Sequence, residues 1–216
     1  MSASIAADLE KWRRWLAVIA DHAWKLQVDR AIHLEMLTVL QDLAPEHGGL
    51  FLARHIQWYK SQQVMALRRM ADADSRAISL RRLLADIGRD TRGLTRAWHR
   101  ELYIPESVGT WESETWAASA DATFDKWMDP PPAEPSDDDS VSASVIIHDL
   151  RSWKALTKAI DRLANHELAH RNEDPNPGTL TWDELHATID DLFELLDKYS
   201  VLLTGATVMA AKPDDA

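Results

Sequence analysis

The sequence predicts an all-α fold, an antiparallel helical bundle interrupted by one irregular, acidic and Pro-rich insertion. Three observations support this fold class. Apolar residues recur every three or four positions through most of the chain, which is the spacing of an amphipathic helix. Only seven glycines occur in 216 residues, and alternating β-branched runs are scarce. Prolines cluster in a few short stretches between the periodic segments, as expected for loops.

The periodic segments predict five helices joined mostly by short turns, which is typical of a bundle. They are predicted over residues 5–43, 50–73, 79–103, 143–171 and 181–204, and the third is expected to break or bend at Gly88 before it resumes. Pro45 and the Gly48–Gly49 pair mark the first boundary. At the start of the last helix, Thr181 and Glu184 form a capping-box pattern, in which each side chain satisfies a free backbone N–H. Gly205 is suited to end that helix.

Residues 104–142 differ from the rest of the chain. Pro105 opens this stretch, and a Pro-rich run over 130–135 followed by three consecutive aspartates closes it. Its middle is rich in aromatic residues, so we predict a short helix at about 111–128. The stretch is predicted to be an insertion packed on the outside of the bundle, and a lid over a site is the alternative.

The chain is predicted to form one domain over residues 1–205, followed by a mobile tail at 206–216. It contains no cysteine, which excludes disulfides, Cys-based zinc sites and thiol catalysis and fits the reducing cytosol. No apolar run approaches the ~18 residues of a membrane span, and the charged N-terminal region lacks the core of a signal peptide. A cytoplasmic protein with no membrane partner is therefore predicted.

Charge is distributed unevenly along the sequence. The net charge of −11 argues against a general affinity for nucleic acid. Nevertheless, residues 68–100 contain nine Arg and four Asp, a local balance of +5, whereas residues 112–139 contain nine acidic residues and one Lys, a local balance of −8. Because binding depends on the local field, the basic stretch remains a candidate surface for RNA.

Four arginines in the basic stretch recur at intervals of three, four and four residues, so they share one face if the segment is a single helix. They are Arg89, Arg92, Arg96 and Arg100. One interpretation is a solvated face paired with neighbouring acids. A second is an RNA-binding track for phosphates. A third is a docking site for the acidic residues 112–139 of the same chain or of its partner, which would inhibit RNA binding by charge mimicry.

The most informative motif lies around His170, in the sequence Asn165-His-Glu-Leu-Ala-His170-Arg171-Asn-Glu-Asp174. Its Ala169-His170-Arg171 core, the polar stretch after it and the capping box at Thr181 resemble the HEPN superfamily, and specifically abortive-infection proteins of the AbiU class. Leu67 to Asp72 resembles a recurrent Arg-apolar-x-Asp signature of these proteins. The resemblance covers residues 160–205 well and most of the chain loosely, with 104–142 outside it.

The resemblance implies a phage-defence or toxin-type protein that acts as a metal-independent endoribonuclease without a cofactor. His170 would be the general acid or base, Asn165 its orienting neighbour and Arg171 a phosphate contact. The resemblance also implies a homodimer that brings two motifs to one cleft, with RNA as the substrate. This sequence departs from the family pattern in one respect, because Ala164 occupies the position of the family's arginine. Arg162 is eight residues before His170, about 12 Å along a helix, and is a poor substitute.

Three other interpretations of the motif stay open. The chain could be a non-catalytic helical interaction module that binds an antitoxin or another defence protein. It could be a zinc hydrolase, since His166-Glu167-x-x-His170 matches H-E-x-x-H and would place two His ligands on one helical face. Finally, His170 and Arg171 could simply stabilise the C-terminus of the helix through its dipole.

Overall fold

A computed structural model describes residues 3–42, 45–103, 110–165 and 180–207. Within these ranges the chain is all-α, and its only β-type pairing is an isolated bridge between Thr95 and Ser140. The helices are α1 Ala3–Asp42, α2 Pro45–Met70, α3 Leu80–Ile87, α4 Arg96–Glu101, α5 Thr110–Phe124, α6 Ala143–Leu156, α7 Lys158–Leu163 and α8 Trp182–Thr204. The predicted all-α bundle is therefore confirmed.

The longest helices, α1, α2 and α8, pack together in antiparallel fashion. Arg13 Nε donates to the Leu203 carbonyl at 2.7 Å, and Arg30 forms an ion pair with Asp190 at 2.5 Å. The residue order is therefore reversed between α1 and α8. The same reversal relates α1 to α2 through the contacts Leu26–Gln63 and His33–His55. The apolar faces of these helices enclose one continuous core, to which α3, α6 and α7 contribute further buried residues.

The predicted break at Gly88 is confirmed, and residues 79–103 form two short helices separated by a turn. Ser79 and Thr95 cap α3 and α4, each accepting a hydrogen bond from a backbone N–H in the first turn. Between them, the Asp90 carboxylate accepts from the backbone N–H of Arg92, which competes with helical hydrogen bonding. As a result Arg89 and Arg92 lie in a turn, and the predicted helical face shared with Arg96 and Arg100 is wrong.

The predicted helix over 143–171 is also interrupted. At Thr157 the side-chain hydroxyl donates to the Trp153 carbonyl at 2.9 Å, and the chain ends α6 there before α7 begins. Residues 164 and 165 continue α7 with π-helical hydrogen bonding. The rest of the prediction, from residue 166 onward, lies outside the described residues.

The acidic insertion packs against α4 and α8. The predicted short helix is confirmed as α5, extended by a 3-10 turn over Asp125–Trp127. Trp127 is buried and meets the Tyr199 ring edge-on, with 5.1 Å between ring centroids. The backbone N–H groups of Arg96 and Ala97 donate to carbonyls in the Asp137–Asp139 run, which fixes the end of the insertion beside α4.

The last helix begins and ends as predicted. Thr181 and Glu184 form the complete capping box, and Gly205 ends α8 in the left-handed conformation with φ of 71°. Among the described helices, none has a stretch long and apolar enough to cross a membrane.

Candidate functional site

The predicted catalytic motif is described only at its beginning. Asn165 is exposed at the end of α7, and the preceding Ala164 is completely buried in the core. His166, His170 and Arg171 lie outside the described residues, so their catalytic or metal-binding roles stay predictions. No group of three or more potential metal ligands occurs in the ranges that the structure describes.

A cleft of about 440 Å³ opens beside the start of this motif, at the C-terminal end of α2. Its polar lining comes from α2 and the residues just after it, from α3 and from α7. These residues are Arg68, Arg69, Asp72, Arg81 and Asp161; we call this site the basic cleft. Asp161 precedes Asn165 by four residues, about 6 Å along a helix, so the cleft and the motif are neighbours.

Two arginines in the basic cleft carry positive charge that is not neutralised by contact. Arg68 and Arg69 occupy the last turn of α2, where the helix dipole favours cations. In the described part of the chain, neither forms an ion pair with a carboxylate. Arg81 differs, since its guanidinium donates to the Ala71 carbonyl at 3.3 Å. The cleft therefore presents two guanidinium groups that are available to an anion.

One of the two acidic residues of the basic cleft, Asp161, has a raised pKa. Burial raises the pKa of the Asp161 carboxyl above its ordinary value, and the nearby negative charge of Asp72 acts in the same direction. The positive charges of Arg68 and Arg81 oppose this shift without cancelling it. The cleft consequently gains net positive charge as Asp161 is protonated, which happens at a higher pH than for an exposed aspartate.

The four arginines predicted to bind RNA are all engaged by acids of the same chain. Arg96 has a side chain only 1% exposed, and its guanidinium lies 2.7 Å from Asp125, 3.5 Å from Asp139 and 3.6 Å from Asp121. Arg100 pairs with Asp121 at 2.6 Å and also with Asp137. For these two residues, docking of the acidic insertion is the interpretation that the structure confirms.

Arg89 and Arg92 fit the solvated-face interpretation. Their side chains are 75% and 82% exposed and pair with Asp86 at 3.1 Å and Asp90 at 2.5 Å. The Arg92–Asp90 pair is exposed on both sides, and pairs of this kind contribute little and are easily exchanged for another partner. RNA contact by Arg89 and Arg92 thus stays a prediction, whereas Arg96 has almost no exposed surface to offer.

Sequence reasoning did not assign a role to the basic cleft, because its parts come from three separate elements. Two signals were available in the sequence. One was the Leu67–Asp72 signature, which was recognised without a function. The other was the position of Asp161, one helical turn before Asn165. Neither signal predicts that the two segments meet.

The fold and the motif together define a class of protein. An all-α bundle in which a helix reaches at least Asn165, with a polar stretch of sequence and a capped last helix after it, is what the resemblance to HEPN-type proteins implies. The family model of AbiU2 (HEPN_AbiU2) matches residues 16–216, and the chain belongs to this family of HEPN-type abortive-infection proteins. The match includes residues 104–142, which the resemblance in sequence had left out. Neither a curated protein nor a solved structure gives a significant match.

Proposed function

We propose that this chain is a defence protein that cleaves RNA, a metal-independent endoribonuclease in which the basic cleft stabilises the charge of the phosphate. The observation that supports this most is the pair Arg68 and Arg69, whose guanidinium groups have no ion-pair partner among the described residues and flank Asp161, one turn from Asn165. Membership of the AbiU2 family supports a role in abortive infection.

The basic cleft can supply the positive charge that Ala164 does not provide. An arginine expected at this position would stabilise the crowded charge of a phosphate undergoing transfer. Ala164 is completely buried, so this position cannot present a charged group to a substrate. Arg68 and Arg69 approach the same end of α7 from α2 and supply the positive charge from a different element.

The chemistry follows from the residues that the family resemblance assigns. A base removes the proton of a ribose 2′-hydroxyl, and the oxygen attacks the adjacent phosphorus. The bond from phosphorus to the 5′-oxygen breaks, and an acid protonates that leaving oxygen, which yields a 2′,3′-cyclic phosphate and a 5′-hydroxyl. His170 would serve as acid or base, Asn165 would orient it, and Arg171 would contact phosphate. A homodimer would supply the second motif.

The test is cleavage of a mixed-sequence fluorogenic RNA by the purified protein in the presence of EDTA. We expect cleavage that resists EDTA and is abolished in His170→Ala. In the double variant Arg68→Ala, Arg69→Ala, kcat/KM should fall by at least about a hundredfold, since the loss of even one charge contact to a transition state costs on that order. The matched control is Arg151→Ala, an exposed arginine on α6 that should leave cleavage unchanged.

One observation favours a second candidate, a non-catalytic module that binds RNA or a defence partner such as an antitoxin. The family's arginine is replaced by a buried alanine, which removes a group on which the chemistry depends. Absence of cleavage by well-folded wild-type protein would overturn the nuclease in favour of this module. Cleavage that EDTA abolishes and that requires His166 would instead favour the zinc hydrolase.

A further inference from the structure

One exposed face of α2 leads away from the basic cleft toward the opposite end of the helix. Eighteen residues make about five complete turns of an α-helix, so residues 51 and 69 point in the same direction and lie about 27 Å apart. Residues at intermediate positions of the same face continue the row. The row consists of Phe51, Arg54, His55, Trp58, Gln62 and Arg69, and we call it the α2 stripe.

The end of the α2 stripe remote from the cleft presents aromatic rings. Phe51 is 58% exposed and Trp58 is 55% exposed, although both are large apolar residues. The His55 ring lies between them, with its centroid 6.4 Å from that of Phe51 and 6.1 Å from that of Trp58. Three rings at such spacing leave faces on which a planar group can stack.

The His55 ring in this group packs on a buried layer of aromatic side chains. His33, which is 2% exposed, contacts His55 through their ring nitrogens at 3.0 Å. The His33 ring in turn stacks on Tyr59 with 3.8 Å between centroids and 8° between planes. The buried layer restricts the His55 ring, and a pre-positioned ring loses less conformational entropy when it binds a ligand.

The other end of the α2 stripe is positively charged. Arg69 belongs both to the basic cleft and to a smaller cleft of about 190 Å³ between α1 and α2, which Gln62 also lines. Arg54, at the aromatic end, is exposed and has no ion-pair partner within the described residues. Guanidinium groups therefore occur at both ends of the α2 stripe, Arg54 among the rings and Arg69 at the basic cleft.

The α2 stripe also passes the two described ends of the segment that carries His170. Asn165 adjoins the basic cleft through Asp161. Trp182, two residues after the described chain resumes, packs against Tyr59 with 5.8 Å between the ring centroids. Tyr59 follows Trp58 directly. A strand lying along the stripe would therefore pass close to both of these described residues.

We propose that the α2 stripe binds single-stranded RNA, with unpaired bases stacked on Phe51, His55 and Trp58 and phosphates held by Arg54 and Arg69. The choice of RNA as ligand rests on the proposed function, and the stripe adds that the substrate must be unpaired. In a duplex the base faces are already stacked on one another, whereas aromatic side chains bind bases that are free to unstack. The guanidiniums at both ends of the row complement a chain that carries one phosphate per base.

The inference is tested by fluorescence anisotropy with a labelled RNA strand of about ten nucleotides. All variants are made in a His170→Ala background so that the strand stays intact. The pair Phe51→Ala, Trp58→Ala should weaken binding about five- to a hundredfold, because stacking of a base contributes on that scale. The matched control, Trp116→Ala, removes a tryptophan of α5 that is 48% exposed and should change nothing.

Two further probes separate stacking from charge. A matched strand with abasic residues should bind the wild-type chain more weakly and be insensitive to Phe51→Ala, Trp58→Ala. An RNA duplex of the same sequence should bind weakly, and Phe51→Ala, Trp58→Ala should leave its affinity unchanged as well. Arg69→Ala should weaken binding of both strands, in contrast to the control Arg151→Ala. Because the substituted side chains are exposed, the variants should melt at the wild-type temperature.

Several outcomes would overturn the inference. Equal losses for the normal and the abasic strand would mean that only charge matters. An unchanged affinity for RNA together with an altered sedimentation coefficient in Phe51→Ala, Trp58→Ala would identify the face as an interface between copies of this chain. The nuclease proposal is judged separately, in chains that retain His170. Binding through the stripe without cleavage would overturn the nuclease alone, and cleavage with an unchanged KM in the stripe variants would overturn the stripe alone.

Discussion

At the scale of single residues, the surroundings of an arginine decide what it is free to do. Arg96 is buried against three carboxylates of the insertion, which neutralise its charge. Arg69 is exposed and has no ion-pair partner within the described ranges, so its charge is available to a ligand. The two residues look alike in sequence, since both lie in the same basic stretch. Only their contacts distinguish a structural cation from a binding one.

Two buried histidines should make the protein sensitive to mild acid. Burial lowers the pKa of His99 to about 4, although the Ala120 backbone and Asp121 oppose the shift. Burial, together with the positive charges that His55 and His186 can carry, lowers the pKa of His33 to about 4. An unfolded histidine has a pKa of about 6.5. Stability from these groups is therefore complete above about pH 6.5 and is lost as the pH falls toward about 4.

The variant His99→Leu should reduce this sensitivity. Among the described residues, neither ring nitrogen of His99 has a partner in full hydrogen-bond geometry, and the contact with the Ala120 backbone falls short of it. An apolar side chain of similar size therefore removes a buried polar group without breaking a well-formed bond. We expect the variant to lose less free energy of unfolding than the wild type between about pH 7.5 and about pH 5. Urea unfolding at both pH values measures this, and parallel losses in the two proteins would contradict the assignment to His99.

At the scale of elements, the acidic insertion is held to α4 by a cluster of ion pairs around two arginines. Burial acts to raise the pKa of Asp121, but hydrogen bonds and charge from Arg100 and Arg96 outweigh it and hold the pKa below its ordinary value. The stabilisation from Asp121 is present above the unfolded pKa of about 3.9 and is lost as the pH falls through the lower folded pKa. The insertion thus neutralises α4 and leaves the basic cleft uncovered by these contacts.

Arg96→Ala should release the insertion. The substitution leaves Asp121, Asp125 and Asp139 without the buried guanidinium, and breaking a buried charge cluster costs about 3 kcal/mol. Arg92→Ala is the matched control, because its pair with Asp90 is exposed and should change stability by less than about 0.5 kcal/mol. Urea unfolding and limited proteolysis within residues 112–139 report the two effects. Similar values for both variants would mean that Arg96 does not hold the insertion.

At the scale of the whole molecule, a chain with a net charge of −11 would bind RNA through a small positive region. The negative net charge then repels RNA at long range, while the positive region attracts it locally. The steepness with which affinity falls as the salt concentration rises reports how many phosphates the protein contacts. Arg54, Arg68 and Arg69 are the cations of the α2 stripe and the basic cleft whose guanidinium groups form neither an ion pair nor a hydrogen bond among the described residues. Together with Arg171, the further phosphate contact of the proposed function, they define a small and countable site.

The salt dependence of RNA binding should therefore be shallow. With about four phosphates neutralised, the slope of log K against log salt concentration is expected to be about −3 for a single strand. Arg68→Ala, Arg69→Ala should reduce the slope to about −1.4, because two contacts remain. Titrations at several salt concentrations, with the His170→Ala chain as the reference, give both slopes. A slope that the double substitution leaves unaltered would place the phosphates elsewhere on the molecule.

The sequence by itself determined the local features of this protein. Apolar spacing identified the long helices, and the residues at Thr181, Glu184 and Gly205 identified both ends of α8, because caps are made by side chains within a few residues of one another. The helix within the insertion was predicted from the aromatic residues between its flanking prolines, which is also a local feature. The motif around Asn165 was enough for the family resemblance, which the match to AbiU2 confirmed.

The tertiary structure decided which segments meet. Helical periodicity reports that a face is covered, but it does not identify what covers it. The break at Thr157 and the turn between α3 and α4 depend on side chains that compete for backbone hydrogen bonds, and the periodic pattern continues across both. The basic cleft joins residues of α2, α3 and α7 that are far apart in the chain. Its charge, like the neutralisation of Arg96, exists only because packing places those residues together.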